Sequence, residues 1–140
     1  MKDFKIRVFQ EVERLIDSMD QGTLTDEKIL SSMNAIADEF QISFGQAQKP
    51  INVILKVHFY HTRKEDDKIR DVLHCPLDSV VLKELKKMDS SFRPIPLKKI
   101  GKEKYVLLQQ QIGNYYSPRI GLDDKWDEQH LSEEGLLGDS

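Results

Sequence analysis

The sequence predicts an all-α protein, a single compact domain of about five helices. Apolar residues recur at three- and four-residue spacing over long stretches, and strand-like alternation is weak. Only 7 Gly and 5 Pro punctuate the 140 residues, which excludes collagen-like and low-complexity classes. That length suits one hydrophobic core and not comfortably two, and 39% apolar with 32% charged residues supplies both a core and a solvated surface.

The first helix is expected over about residues 2–19. Phe4, Val8, Val12, Leu15, Ile16 and Met19 make its apolar face, and Gly22 ends it. A second helix begins after Thr25, whose hydroxyl caps free N–H groups while Asp26 and Glu27 suit the positive end of the helix dipole. Its inner face is Ile29, Leu30, Met33, Ile36, Ala37 and Phe40. Pro50 then controls the reading. A proline inside a helix costs about 3 kcal/mol but is harmless in the first turn, so the third helix is expected to start near Ala47 or Gln48, not at Ser43. It runs to Tyr60 or His61 and, with only Asn52, Lys56 and His58 as polar interruptions, reads as the buried central helix.

Residues 62–72 are dominated by charge and read as a loop or short exposed helix. Pro76 is expected to open the next helix, with Leu77, Val80, Val81, Leu85 and Met88 inward. Ser90, Ser91, Pro94 and Pro96 break the chain, and a last helix covers Glu103 to about Ile112. The helical domain is thus residues 1–116, followed over 117–140 by an acidic tail with partial order around Trp126.

The net charge of −3 argues against a general nucleic-acid binder, but it averages over a pattern. Residues 1–44 carry five basic and nine acidic side chains, residues 45–104 carry 14 and 8, and residues 105–140 carry two and seven. The basic middle is where an anionic partner belongs. Cys75 is the single cysteine, which excludes an internal disulfide framework and cysteine-rich metal centres and suits a reducing compartment such as the cytoplasm. No run of 18 apolar residues exists, so no membrane span is expected.

Two pieces inside the basic middle carry a resemblance. Gly45-Gln46-Ala47-Gln48-Lys49-Pro50 followed by Ile51-Asn52-Val53-Ile54-Leu55 resembles the helix-hairpin-helix of base-excision DNA glycosylases, where a glycine-rich hairpin, a lysine and a long apolar helix follow in that order. His74-Cys75-Pro76-Leu77-Asp78-Ser79 is similar to the segment of that superfamily in which a proline, an apolar residue and the catalytic aspartate open the next helix. The resemblance covers residues 42–85. Ala47 stands where the hairpin has its second glycine, Pro50 where a threonine-like residue is usual, and Val80 where a histidine often follows. It implies a helix-hairpin-helix-like element whose residues Gly45, Gln46, Ala47, Gln48 and Lys49 grip a DNA phosphate through backbone N–H groups and a helix dipole. It further implies Lys49 as the amine that attacks the anomeric carbon and Asp78 as the carboxylate that stabilises the cationic transition state, on a base taken out of the stack.

The competing reading is a non-enzymatic helical interaction module, with a protein partner or homo-oligomer formed through the C-terminal region, where Tyr115 and Tyr116 adjoin the acidic tail. Asp78 is then an ordinary first-turn residue and Lys49 a solvated lysine. His58, His61, His74 and Cys75 match no standard zinc spacing, so no metal and no cofactor is expected. There is no phosphate loop and no nucleophile elbow.

Overall fold

The computed structural model describes residues 3–63, 65–116 and 119–120, and these form an all-α fold without strands. Helix α1 spans Phe4–Asp20, α2 Asp26–Phe40, α3 Phe44–Thr62, α4 Asp67–Val72, α5 Ser79–Met88 and α6 Lys102–Tyr115, with a 3-10 turn at Leu97–Lys99 before α6.

The first three helices pack on one another around α3. Helices α1 and α2 are antiparallel: the rings of Phe4 and Phe40 meet edge-on at 5.0 Å, and Arg7 bonds Glu39 at 2.8 Å beside them. Three residues, Gln41 to Ser43, turn the chain from α2 into α3, with Gln41 in left-handed backbone at φ 54°. Helices α1 and α3 are parallel, since Phe4 and Val8 lie against Pro50 and Ile54 at one end while Asp20 meets Arg63 at the other. The expected inner residues of α1 and α2 are buried, including Val8, Val12, Leu15, Met19, Ile29, Met33 and Ile36. Thr25 caps α2 as the sequence implies, its hydroxyl accepting the Lys28 N–H.

The central helix begins earlier than expected. It starts at Phe44, because Ser43 and Gln46 form a capping box: the Ser43 hydroxyl accepts the Gln46 N–H and the Gln46 side chain accepts the Ser43 N–H. Pro50 consequently lies inside the helix, where it has no N–H to offer the Gln46 carbonyl. Two satisfied N-terminal donors offset part of that cost, and the first two turns pack into the core through Phe44, Ala47 and Gln48.

The second departure is at Pro76, which does not open a helix. Residues 73–77 are non-helical and buried, and α5 starts only at Ser79, with Asp78 accepting the Val81 N–H. Gln109 of α6 explains the delay: its side chain accepts the Cys75 N–H at 2.9 Å and donates to the Cys75 carbonyl at 2.7 Å, which fixes this backbone outside a helix. The charged stretch 62–72 contains a short helix, α4, held by one buried residue, Ile69. The last helix is longer than expected at both ends.

Arg119 and Ile120 pack on the helical body: Ile120 is buried, and Arg119 donates to the Val72 carbonyl at 3.0 Å. The expected partial order around Trp126 lies outside the described residues.

Candidate functional site

Three places hold the residues singled out by the sequence. The first is the start of α3. Gly45 to Lys49 lie in its first two turns, and the link from α2 is Gln41 to Ser43, so these five residues are helical and do not form the turn itself. Gly45, Ala47 and Gln48 are buried; Gln46 and Lys49 are exposed. Gly45 serves close packing. Its N–H donates to the Ile100 carbonyl at 2.8 Å, and a Cβ there would stand 2.3 Å from the Leu97 oxygen and 2.7 Å from the Ile100 Cβ. The Ser43 hydroxyl also donates to the Leu97 carbonyl, so the start of α3 is bound to the 97–100 turn.

The second place is the Asp78 cap. The Asp78 carboxylate is half-buried and bonds the Val81 N–H at 2.8 Å. Lys49 and Asp78 are not ion-paired to each other or to other described residues. Their neighbours in sequence are joined. Gln48 accepts the Leu77 N–H at 3.0 Å and donates to the Leu77 carbonyl at 2.8 Å, which draws together the two pieces that carry the glycosylase resemblance. The groove between α1 and α3, the open cavity around Tyr60 to Lys68 and the small cleft at His74 have neither Lys49 nor Asp78 in their walls.

The third place is a buried polar chain that sequence reasoning missed. It begins at Gln48, whose Oε1 also accepts from Asn52 Nδ2 at 2.9 Å. Asn52 donates in turn to the Tyr105 hydroxyl at 2.9 Å, and Tyr105 meets His74 Nδ1 at 2.6 Å. His74 Nε2 then meets Asp26 Oδ1 at 2.5 Å at the surface. Gln48, Asn52, Tyr105 and His74 are all buried, whereas the Asp26 side chain is about half exposed.

The hydrogen-bond pattern assigns the protons. Tyr105 accepts from Asn52 and so donates to His74 Nδ1, which leaves Nε2–H to face the carboxylate. His74 is therefore neutral, and burial holds its pKa below the ordinary histidine value despite the Asp26 carboxylate, with Arg119 pushing the same way as burial. The hydrogen bond from His74 holds the Asp26 pKa below the usual carboxylate value, helped by the Arg119 charge. Burial raises the Tyr105 hydroxyl far above its ordinary value, so it stays protonated.

This Asp–His–Tyr order resembles a proton relay, but its hydroxyl end is sealed in the core and each shared proton has its acceptor. The small cleft of about 70 Å³ beside it is lined by Asp26, His74, Tyr105, Gln109 and Arg119. The arrangement ties α2, α3, the 73–78 segment and α6 together. One signal was present in the sequence: Gln48 and Asn52 are polar, four apart, on the most apolar helix of the chain.

Among the described residues, no three His, Cys, Asp or Glu side chains converge as metal ligands. His58 lies 3.8 Å from Asp20, His61 lines the open cavity at the α3–α4 junction, and His74 and Cys75 are buried elsewhere. No described helix is long and apolar enough to cross a membrane.

The basic middle of the sequence becomes a spatial feature at the start of α6. Lys98, Lys99, Lys102 and Lys104 are exposed and free of ion pairs among the described residues, with Glu103 standing between the last two. Gly101 caps α6 without a side-chain hydrogen bond, so the first-turn N–H groups of α6 are not covered by a cap.

No protein-family model, curated protein or solved structure matches this chain.

Proposed function

We propose that this is a nucleic-acid-binding helical protein whose phosphate contacts come from the lysines around the start of α6. The observation that supports this reading is the unpaired cluster Lys98, Lys99, Lys102 and Lys104, set beside the first turn of α3 by the Gly45–Ile100 and Ser43–Leu97 hydrogen bonds. Cations without internal partners attract a phosphate backbone at little cost, and such contacts position a strand without reading its sequence. The test is binding of duplex and single-stranded DNA at several salt concentrations. Each phosphate contact contributes about 0.9 to the slope of log affinity against log salt on duplex DNA. Lys98→Glu with Lys99→Glu is expected to weaken binding and flatten that slope, and a wild-type slope near zero removes the proposal.

Base-excision chemistry through Lys49 and Asp78 is a second reading, favoured by the Gln48–Leu77 pairing that joins the neighbours of both residues. Borohydride trapping on lesion-bearing duplexes tests it. A covalent adduct lost in Lys49→Ala supports the lysine assignment; no adduct with any lesion rejects it. The one cysteine, Cys75, is buried, which suits a protein of the cytoplasm.

A further inference from the structure

We infer that the exposed face of α1 and α3 is the contact surface for a second copy of this chain, arranged antiparallel about a two-fold axis beside Phe9. The inference does not depend on nucleic-acid binding. Parallel helices α1 and α3 leave a groove of about 290 Å³ between them, walled by Phe4, Val8, Phe9, Pro50 and Ile54 with Lys5 at its rim. Phe9 is 55% exposed and Ile6 54%, and Val57 stands out from α3 at 47%. An exposed aromatic over an apolar groove is a surface that gains from being covered.

The charges on α1 identify what covers it. Lys5, Phe9 and Glu13 follow at four-residue spacing, so each is turned only about 40° from the next and the three form one exposed stripe. Neither Lys5 nor Glu13 has an ion-pair partner among the described residues. In an interface with two-fold symmetry, residue i meets j and j meets i. An axis at Phe9 brings Lys5 of each copy opposite Glu13 of the other, since both lie four residues from it. Each Phe9 then packs against its counterpart at the axis, at the mouth of the groove that it walls with Pro50 and Ile54. Opposite charges set equally far on either side of the aromatic make this stripe complementary to itself in the antiparallel sense, which is what a second copy presents.

The test is sedimentation equilibrium of the full chain, wild type and two charge reversals, Lys5→Glu and Glu13→Lys. Both sites are exposed, so thermal melts should confirm an unchanged fold. Wild type is expected to form dimers, and each reversal alone should weaken dimerisation at least tenfold, because it places like charges at both contacts. Mixing the two variants restores opposite charges at both contacts, and dimers between unlike chains should form with near wild-type affinity. Phe9→Glu should yield monomers. A monomeric wild type at hundreds of micromolar overturns the inference, as does a mixture that associates no better than its separate components.

Discussion

The side-chain amide of Gln48 pairs with both backbone groups of Leu77, accepting its N–H at 3.0 Å and donating to its carbonyl at 2.8 Å. The same amide also bonds the Gly45 carbonyl and receives Asn52, so its removal leaves the buried Leu77 N–H and C=O and one Asn52 N–H without their partner. Each buried polar group left unpaired costs about 1–3 kcal/mol. Gln48→Ala is therefore expected to lower the unfolding free energy by roughly 3 kcal/mol or more. Urea denaturation measures this, and a loss under 1 kcal/mol would mean that Leu77 finds other partners.

Acid should weaken the fold through His74. Its folded pKa is depressed while the unfolded side chain keeps an ordinary value near 6.5, so the unfolded state binds the extra proton. The contribution is complete above about pH 6.5 and is lost as pH falls from there toward the folded value. Asp26, also depressed, adds a loss in the same direction as pH drops through the carboxylate range. Protonated His74 cannot accept the Tyr105 proton, which strands that hydroxyl in the core. Stability measured by urea melts from pH 7.5 to 4.5 should fall by up to about 1.4 kcal/mol per unit for this one proton, and His74→Asn should flatten the upper part of the slope.

Gly45→Ala should destabilise although the position is helical and alanine is the better helix former. Its Cβ would meet the Leu97 carbonyl oxygen at 2.3 Å, and the backbone that carries that oxygen is also bonded to Ser43. Overpacking of this kind costs about 1–3 kcal/mol, against a propensity gain of about 1 kcal/mol. A thermal melt at or above the wild-type temperature would show that the 97–100 turn moves aside freely.

Capping and chemistry at Asp78 are separable. Asparagine and serine cap nearly as well as aspartate, whereas alanine costs about 1 kcal/mol. Asp78→Asn should leave stability within a few tenths of a kcal/mol and Asp78→Ala should not, as judged by urea midpoints. Under the base-excision reading, Asp78→Asn also loses strand cleavage at full stability. Equal cleavage by wild type and Asp78→Asn would leave the carboxylate with the cap alone.

How far the sequence reveals these features depends on the distance over which each is determined. Helices α1 and α2 were readable because Val8, Val12, Leu15 and Met19, or Thr25 and Lys28, lie within a turn or two of one another. The start of α3 was misplaced because two local rules conflict there: Pro50 favours a late start, and the Ser43–Gln46 box an early one. Periodicity marked α3 as central yet was silent on its partners. Gln48 pairs 29 residues away, Gln109 pairs 34 residues back, and Asn52 reaches Tyr105 over 53 positions. The charge blocks located the lysines; only folding put Lys98 and Lys99 beside Gly45. The glycosylase resemblance pointed to Lys49 and Asp78 as a pair, and it was their neighbours Gln48 and Leu77 that met.

The segment from Leu73 to Leu77 runs through the interior like a strand that has no sheet. Two of its residues, Cys75 and Leu77, are each held by a glutamine side chain, one from α6 and one from α3, that pairs with the residue's N–H and C=O as a neighbouring strand would. Neither glutamine is in place until its helix has docked, and both contacts close loops of about thirty residues, which chain entropy opposes. The Cys75 and Leu77 amides are therefore expected to gain protection from solvent exchange only once α3 and α6 are both packed against them. Their exchange rates are expected to report the docking of both helices on this segment, as hydrogen exchange followed by mass spectrometry or NMR would measure.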